Sequence, residues 1–254
     1  MKGKKRFFIC LFSVFLLIST LNENTNASVF KPVKGLNTYL EDANQDNKIV
    51  YLTFDDGPSD PITDKVLDIL KTNNVKATFF VIGNQINGLE GVVKRIHEEG
   101  HSIGLHTYTH KFKRIYSNND SLINEMNQCQ SEINKVIGVS PTIIRFPGGS
   151  KKHLTPGLLN TLHKQNFKIY DWNMETLDGI TPKLSPYKIY KDATNNSENL
   201  STIVLLLHCD YMHKNTCIAL PKIIKYYKDQ GYKFEPIKND TPELYFPIKK
   251  AVRN

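Results

Sequence analysis

Cysteine is scarce. The 254 residues hold four, Cys10, Cys129, Cys209 and Cys217, with no Cys-x-x-Cys spacing. A disulfide framework needs a dense, even set, and a thiolate zinc site needs closely spaced pairs, so the sequence argues against both. Whether Cys209 and Cys217 pair is left open. No Lys/Arg–aromatic cluster is of the nucleic-acid type, so no nucleic-acid partner is expected. No low-complexity block and no Pro/Gly/Ser-rich linker interrupts residues 48–237, and one domain is the economical reading of that stretch. Long apolar runs are also missing. The strongest, Phe7 to Ile18, is short for a membrane span. It follows Lys2, Lys4, Lys5 and Arg6 and precedes polar residues and Asn26-Ala27-Ser28. Residues 1–27 therefore read as an export signal or, if uncleaved, an N-terminal anchor.

What is present is an ordinary globular composition, 40% hydrophobic and 23% charged, with a formal net charge of +8 that suits an anionic surface. Residues 28–47 are polar and irregular and read as a linker or arm. From Lys48 onward, strand-like and helix-like runs alternate about seven times, the pattern of an α/β fold built from βα units. Strands are expected at 49–54, 75–82, 102–105, 142–146, 168–174, 202–208 and 232–237. Helices are expected after Ser59-Asp60-Pro61, at about 89–99, at 119–137 with Gly138 closing it, around Leu158 to Leu162, after Ser185-Pro186, and at 215–230. Pro221 in the last of these is tolerable near its start or at a kink. The tail 238–254 carries Pro242 and Pro247 and is expected to wrap the surface, and the whole to be a monomer.

The polar residues fall at one end of these strands. Asp55 and Asp56 follow the first, in Thr53-Phe54-Asp55-Asp56-Gly57-Pro58. His106 and His110 follow the third, Arg145 ends the fourth, Asp178 comes shortly after the fifth and His208 ends the sixth. In a β/α barrel the C-terminal strand ends converge on one face, where active sites lie. Neighbouring carboxylates repel unless a cation or proton is shared, which suits one metal ligand beside one general base. If 106–110 makes one helical turn, both imidazoles point the same way. Two imidazoles and a carboxylate leave an open position, the pattern of a catalytic rather than a structural metal. Taken singly, Arg145 reads as a surface ion-pair partner and His208 as a core histidine; it is their joint placement that points to chemistry. Cys209 follows His208 on a strand and so faces the other way, which argues against a thiol–imidazole dyad. His97, His153, His163 and His213 read as surface or core residues, and Tyr226-Tyr227 as helix packing.

Thr53-Phe54-Asp55-Asp56-Gly57-Pro58, His106-Thr107-Tyr108-Thr109-His110, Arg145-Phe146-Pro147-Gly148-Gly149, Trp172 to Asp178, and Leu206-Leu207-His208 stand in that order. They resemble the ordered motifs of the polysaccharide deacetylases, the NodB-homology domains of carbohydrate esterase family four. The resemblance covers roughly 48–237. It implies a distorted (β/α) barrel of about seven βα units. It implies that Asp56, His106 and His110 hold a divalent metal, Zn²⁺ or Co²⁺ or another such ion. Asp55 is then the general base, with Arg145 pairing with it and keeping it ionised. His208 is the proton donor to the leaving amine, oriented by Asp178. Pro147, Gly148, Leu206 and Trp172 line the substrate and oxyanion pocket. The implied substrate is an acetylated glycan, peptidoglycan or a chitooligosaccharide, outside the cell or at its wall, with membrane contact only through residues 7–18 if the signal is retained. An O-acetyl esterase on a polysaccharide such as xylan, or a silent wall-binding barrel, are the alternatives. One departure stands out. The family often has Asp-Trp where this chain has Asp178-Gly179, so a pocket wall is expected to be missing or supplied by Trp172.

Overall fold

Alternation along the central strand sets the architecture. In β1 (Ile49–Gly57), Val50, Leu52 and Phe54 are fully buried on one face, while Thr53 and Asp55 are buried on the other. A strand buried on both faces belongs to a parallel sheet covered by helices, and that is what the computed structural model shows for residues 48–248. The expected signal or anchor, the arm 28–47 and residues 249–254 lie outside the described residues.

The remaining strands are β2 (Thr78–Val81), β3 (Ser102–Leu105), β4 (Ile143–Ile144), β5 (Lys168–Ile169), β6 (Met174–Glu175), β7 (Thr202–His208) and β8 (Lys233–Phe234). Every pairing is parallel, in the order β5-β4-β3-β2-β1-β7-β6, with β8 beside the start of β1. The helices are α1 (Ile62–Thr72), α2 (Glu90–Glu98), α3 (Phe112–Ile115), α4 (Asn119–Ile137), α5 (Pro156–Lys164), α6 (Pro186–Thr194) and α7 (Lys214–Asp229). This is the distorted (β/α) barrel. Two apolar clusters result. The larger lies between sheet and helices and includes Leu52, Phe54, Phe79, Leu205 and Leu207. The smaller fills the barrel interior with Phe80, Ile143, Tyr170, Val204, Ile237 and Leu244.

Helix α4 shows why the sequence pattern worked. Asn118 caps it by accepting from the Ser121 N–H at 2.8 Å, Gly138 ends it at φ 69°, and Leu122, Met126, Cys129 and Ile133 form its buried stripe. In α7, Pro221 lies mid-helix rather than near the start. The interior-proline cost of about 3 kcal/mol is offset by the burial of Ala219, Leu220, Ile223, Ile224 and Tyr227.

The expected strand 168–174 is two strands. β5 and β6 are consecutive in the chain but lie at opposite ends of the strand order, so residues 170–173 cross the barrel opening. Isolated apolar runs cannot distinguish one strand from two short ones on either side of a gap. The expected strands 75–82, 142–146 and 232–237 are likewise trimmed to shorter paired segments. Past β8, the tail turns back. Leu244 bridges to Tyr170, the Phe246 N–H donates to Asp171 Oδ2 at 2.7 Å, and both side chains are buried. Among the described residues no helix is long and apolar enough to cross a membrane.

Candidate active site

Adjacent residues on a strand face opposite ways, so Asp55 and Asp56 should not share a site. They do because β1 bulges. Its register with β2 slips between Asp55 and Gly57, and Asp56 takes φ 68°. A bulge re-aims a side chain, and here it brings the second carboxylate to the barrel mouth.

Two imidazoles meet it. His106 Nε2 and His110 Nε2 lie 3.4 and 3.3 Å from Asp56 Oδ1. The segment between them is not a helical turn. Thr107 and His110 take φ 70° and 54°, and the loop rather than helical spacing brings the rings to 5.0 Å. Glu125, buried on α4, holds that loop. Its carboxylate accepts from the Tyr108 and Thr109 N–H groups at 3.1 and 2.7 Å and pairs with Arg114 at 2.7 Å.

These three residues suit a metal. His106 Nδ1 lies 2.9 Å from the Arg145 carbonyl, so it carries the proton and leaves the Nε2 lone pair facing Asp56. Burial pushes His106 down to about 3, which keeps the ring neutral. Asp56 Oδ1 is buried and accepts no hydrogen bond. An orphaned carboxylate oxygen facing two imidazole nitrogens is a donor set for a divalent cation.

Arg145 is fully buried, and its guanidinium makes four hydrogen bonds. Nη1 donates to Asp55 Oδ1 at 2.9 Å and to Thr53 Oγ1 at 2.6 Å; Nε donates to the Tyr170 carbonyl at 2.7 Å and Nη2 to the Asp171 carbonyl at 3.0 Å. It also lies 4.2 Å above the Phe80 ring. One side chain thus ties β1 and β4 to the segment that crosses the opening. The expected pair with Asp55 exists, and Arg145 acts in the expected direction, favouring the carboxylate. Desolvation of the buried Asp55 carboxyl outweighs Arg145, and its pKa is raised.

His208 stands opposite Asp55 in the β1–β7 register. Its Nδ1 is 2.8 Å from Asp178 Oδ1, and its N–H donates to Asp178 Oδ2 at 3.1 Å. Desolvation opposes the imidazolium, but Asp178, supported by Asp55 and Asp56, outweighs it and raises His208 to about 9. Cys209 faces outward, fully buried near Thr63, and its thiol is raised well above the usual range by burial. The three described cysteines are unbridged.

Pro147 is buried, and its carbonyl accepts from Tyr116 Oη at 2.7 Å, while Gly148 is exposed at φ 71°. Leu206 is buried inside the barrel wall. Half-buried Trp172 packs on Phe246 and against Gly149.

Several residues of this site escaped the sequence. His213 is neither simple core nor surface. Buried, it stacks on His208 at 5.3 Å and bridges Asp210 Oδ1 and the Asp178 carbonyl. Thr216 donates to Asp178 Oδ2 at 2.8 Å. Asp171 accepts from the Ser150 and Phe246 N–H groups and so ties the turn after β4 to the tail. At Gly179 the His208 ring occupies the space a Cβ would take.

Fold and site together define a barrel hydrolase, and comparison places it. The polysaccharide deacetylase family model matches residues 42–170. Over 208 residues the chain is 35% identical to a peptidoglycan-N-acetylglucosamine deacetylase of Bacillus cereus, covering 80% of this chain and 73% of that one. A crystal structure of a Bacillus cereus polysaccharide deacetylase superposes with a TM-score of 0.71 at 36% identity, covering 80% and 96% of the two chains. The catalytic domain of a Eubacterium rectale peptidoglycan N-acetylglucosamine deacetylase gives 0.74 at 30% identity, covering 82% and 96%. The chain belongs to the polysaccharide deacetylase family.

Proposed function

We propose that this protein is an exported, metal-dependent glycan N-deacetylase that removes acetyl groups from N-acetylglucosamine in peptidoglycan or chitin-like oligomers. The observation that carries this reading is the orphaned Asp56 Oδ1 facing His106 and His110, beside a second, separately held carboxylate. The names of the relatives supply the acetamide and the glycan. Export rests on the signal-like pattern of residues 1–27.

Asp56, His106 and His110 would hold the ion, Zn²⁺ or Co²⁺ or another divalent metal. When bound, it supplies Lewis acidity toward a water and the acetyl carbonyl. Asp55 borders the same space, its Oδ2 3.7 Å from His106 Nε2, and takes the proton of the attacking water. Arg145 fixes Asp55 on its other oxygen. The Gly148 N–H would serve the developing oxyanion. His208, held cationic by Asp178, gives its proton to the departing amine nitrogen. The products are acetate and a free amino sugar.

The test is stoichiometric. Purified full-length protein, stripped with chelator and reloaded with Zn²⁺ or Co²⁺, is expected to release one acetate per new primary amine from N-acetylglucosamine oligomers. Acetate without amine, from acetylxylan only, assigns an O-acetyl esterase instead. Activity untouched by complete metal removal overturns the ligand assignment.

A further inference from the structure

The rim of the mouth beside His110 is built from α3 and the turn after β4. Phe112 is 49% exposed. Its ring nonetheless meets His110 edge-on at 5.5 Å and lies against Gly148, where a Cβ would stand 3.3 Å from Phe112 Cε1. Beyond it, Phe112 meets Tyr116 at 5.7 Å, and Tyr116 stacks flat on His153 at 3.4 Å. Aromatic rings therefore run from the metal-type trio outward along the surface.

Cations flank this strip. Lys111 and Lys113 bracket Phe112, and Lys151 and Lys152 precede His153. All four are exposed, and none has an ion-pair partner among the described residues. Arg114 differs, because Glu125 holds it. Ammonium groups without ion-pair partners at both ends of a strip of rings offer two complementary contacts: an apolar face for the C–H face of a sugar, and charge for acidic substituents.

We infer that this rim is a subsite for a glycan strand that carries carboxylates. Phe112 is the platform beside the reacting acetamide, and Lys111, Lys113, Lys151 and Lys152 pair with acids borne on the strand. The inference rests on the deacetylase reading and narrows it. The preferred substrate is an acid-bearing N-acetylated glycan, as peptidoglycan with free stem-peptide carboxylates is, rather than a neutral chitin oligomer.

Three substrates of equal sugar length separate charge from shape: a neutral N-acetylglucosamine tetramer, a peptidoglycan fragment with free carboxylates, and the same fragment with its carboxylates amidated. Acetate release and fluorescence-anisotropy binding are both measured on the full chain loaded with Zn²⁺. The free-acid fragment is expected to give the highest kcat/KM at low salt. That advantage should shrink in about 0.5 M salt, where exposed charges are screened beyond a few ångströms. In Lys151→Glu/Lys152→Glu, kcat/KM on the free-acid fragment should fall about tenfold, while the neutral tetramer stays within about twofold. Equal kcat/KM on free-acid and amidated fragments, or a charge reversal without effect, overturns the subsite. If no substrate releases acetate, the binding arm still decides. Salt-sensitive binding of the free-acid fragment that the charge reversal removes upholds the rim and places the failure in the deacetylase reading. Binding indifferent to salt and to the charge reversal overturns the rim.

Discussion

A Cβ on Gly179 would stand 2.2 Å from Cε1 and 2.5 Å from Nε2 of His208. The imidazole rests on the main chain of Gly179, with Asp178 bonded to Nδ1 and His213 stacked alongside. The space of the absent side chain is taken by His208, the proposed proton donor. In Gly179→Ala, the methyl group must displace the ring from the position Asp178 gives it. Misplacing a catalytic group by about 1 Å can cost on the order of 10²-fold in rate. A fall of that order in kcat is expected, with little change in KM, because Gly179 is exposed and the fold does not depend on it. Steady-state kinetics with a thermal melt check this, and wild-type kcat in the variant would contradict it.

Asp178 sets the alkaline limit. In the proposed mechanism His208 donates as the imidazolium, and its pKa is raised to about 9. Activity should hold below that value and fall as pH rises through it. The charged and titratable groups around the ring are Asp178, Asp55, Asp56, Glu175, Asp210 and His213. Asp178→Asn removes the nearest anion, so the alkaline fall should move toward the ordinary imidazole range. The stability linkage has the same sign: a raised folded pKa contributes below the unfolded value near 6.5 and is lost as pH rises through about 9. A pH–kcat profile of the two proteins decides it, and superimposable alkaline limbs would refute the pairing.

Glu125 stands outside the metal-type trio, yet it holds two N–H groups of the loop between His106 and His110. Partners that orient metal ligands typically affect affinity 10–100-fold (order of magnitude). Glu125→Ala should weaken zinc binding by that order, read by competition with a chromophoric chelator. Unchanged affinity would leave the loop self-supporting.

Arg145 binds the opening shut as well as fixing Asp55. Removing one partner of a buried, hydrogen-bonded charge pair costs roughly 3–5 kcal/mol. Arg145→Ala leaves Asp55 unpaired and frees the Tyr170 and Asp171 carbonyls. A stability loss in that range is expected by urea unfolding. A loss under about 1 kcal/mol, the level of a surface pair, would show the guanidinium to be structurally idle.

How far the sequence reached is visible in particular residues. Strands β3 and β7 and helix α4 have the expected bounds, because apolar runs and caps are local signals. The barrel-end placement of Asp55, His106, Arg145 and His208 was legible for the same reason, since strand ends can be counted. Three features depend on the assembled fold instead. The bulge that turns Asp56 inward is a register slip against β2. The break between β5 and β6 reflects where the sheet fails to close. Glu125 and His213 act through contacts 16 and 35 residues away along the chain, to Thr109 and Asp178, which no periodicity encodes. Gly179 is legible as a departure from the family pattern, but the His208 ring lying over it is not, because that neighbour is placed only by the assembled fold.

The central claim is that Asp55 serves as the base beside a metal held by Asp56, His106 and His110. The most direct measurement is acetate release from N-acetylglucosamine oligomers by full-length wild type and Asp55→Asn, with zinc content determined on the same samples. The account predicts equal zinc in both proteins and turnover only in the wild type. Wild-type turnover in Asp55→Asn, or its loss only because zinc is lost as well, would contradict it.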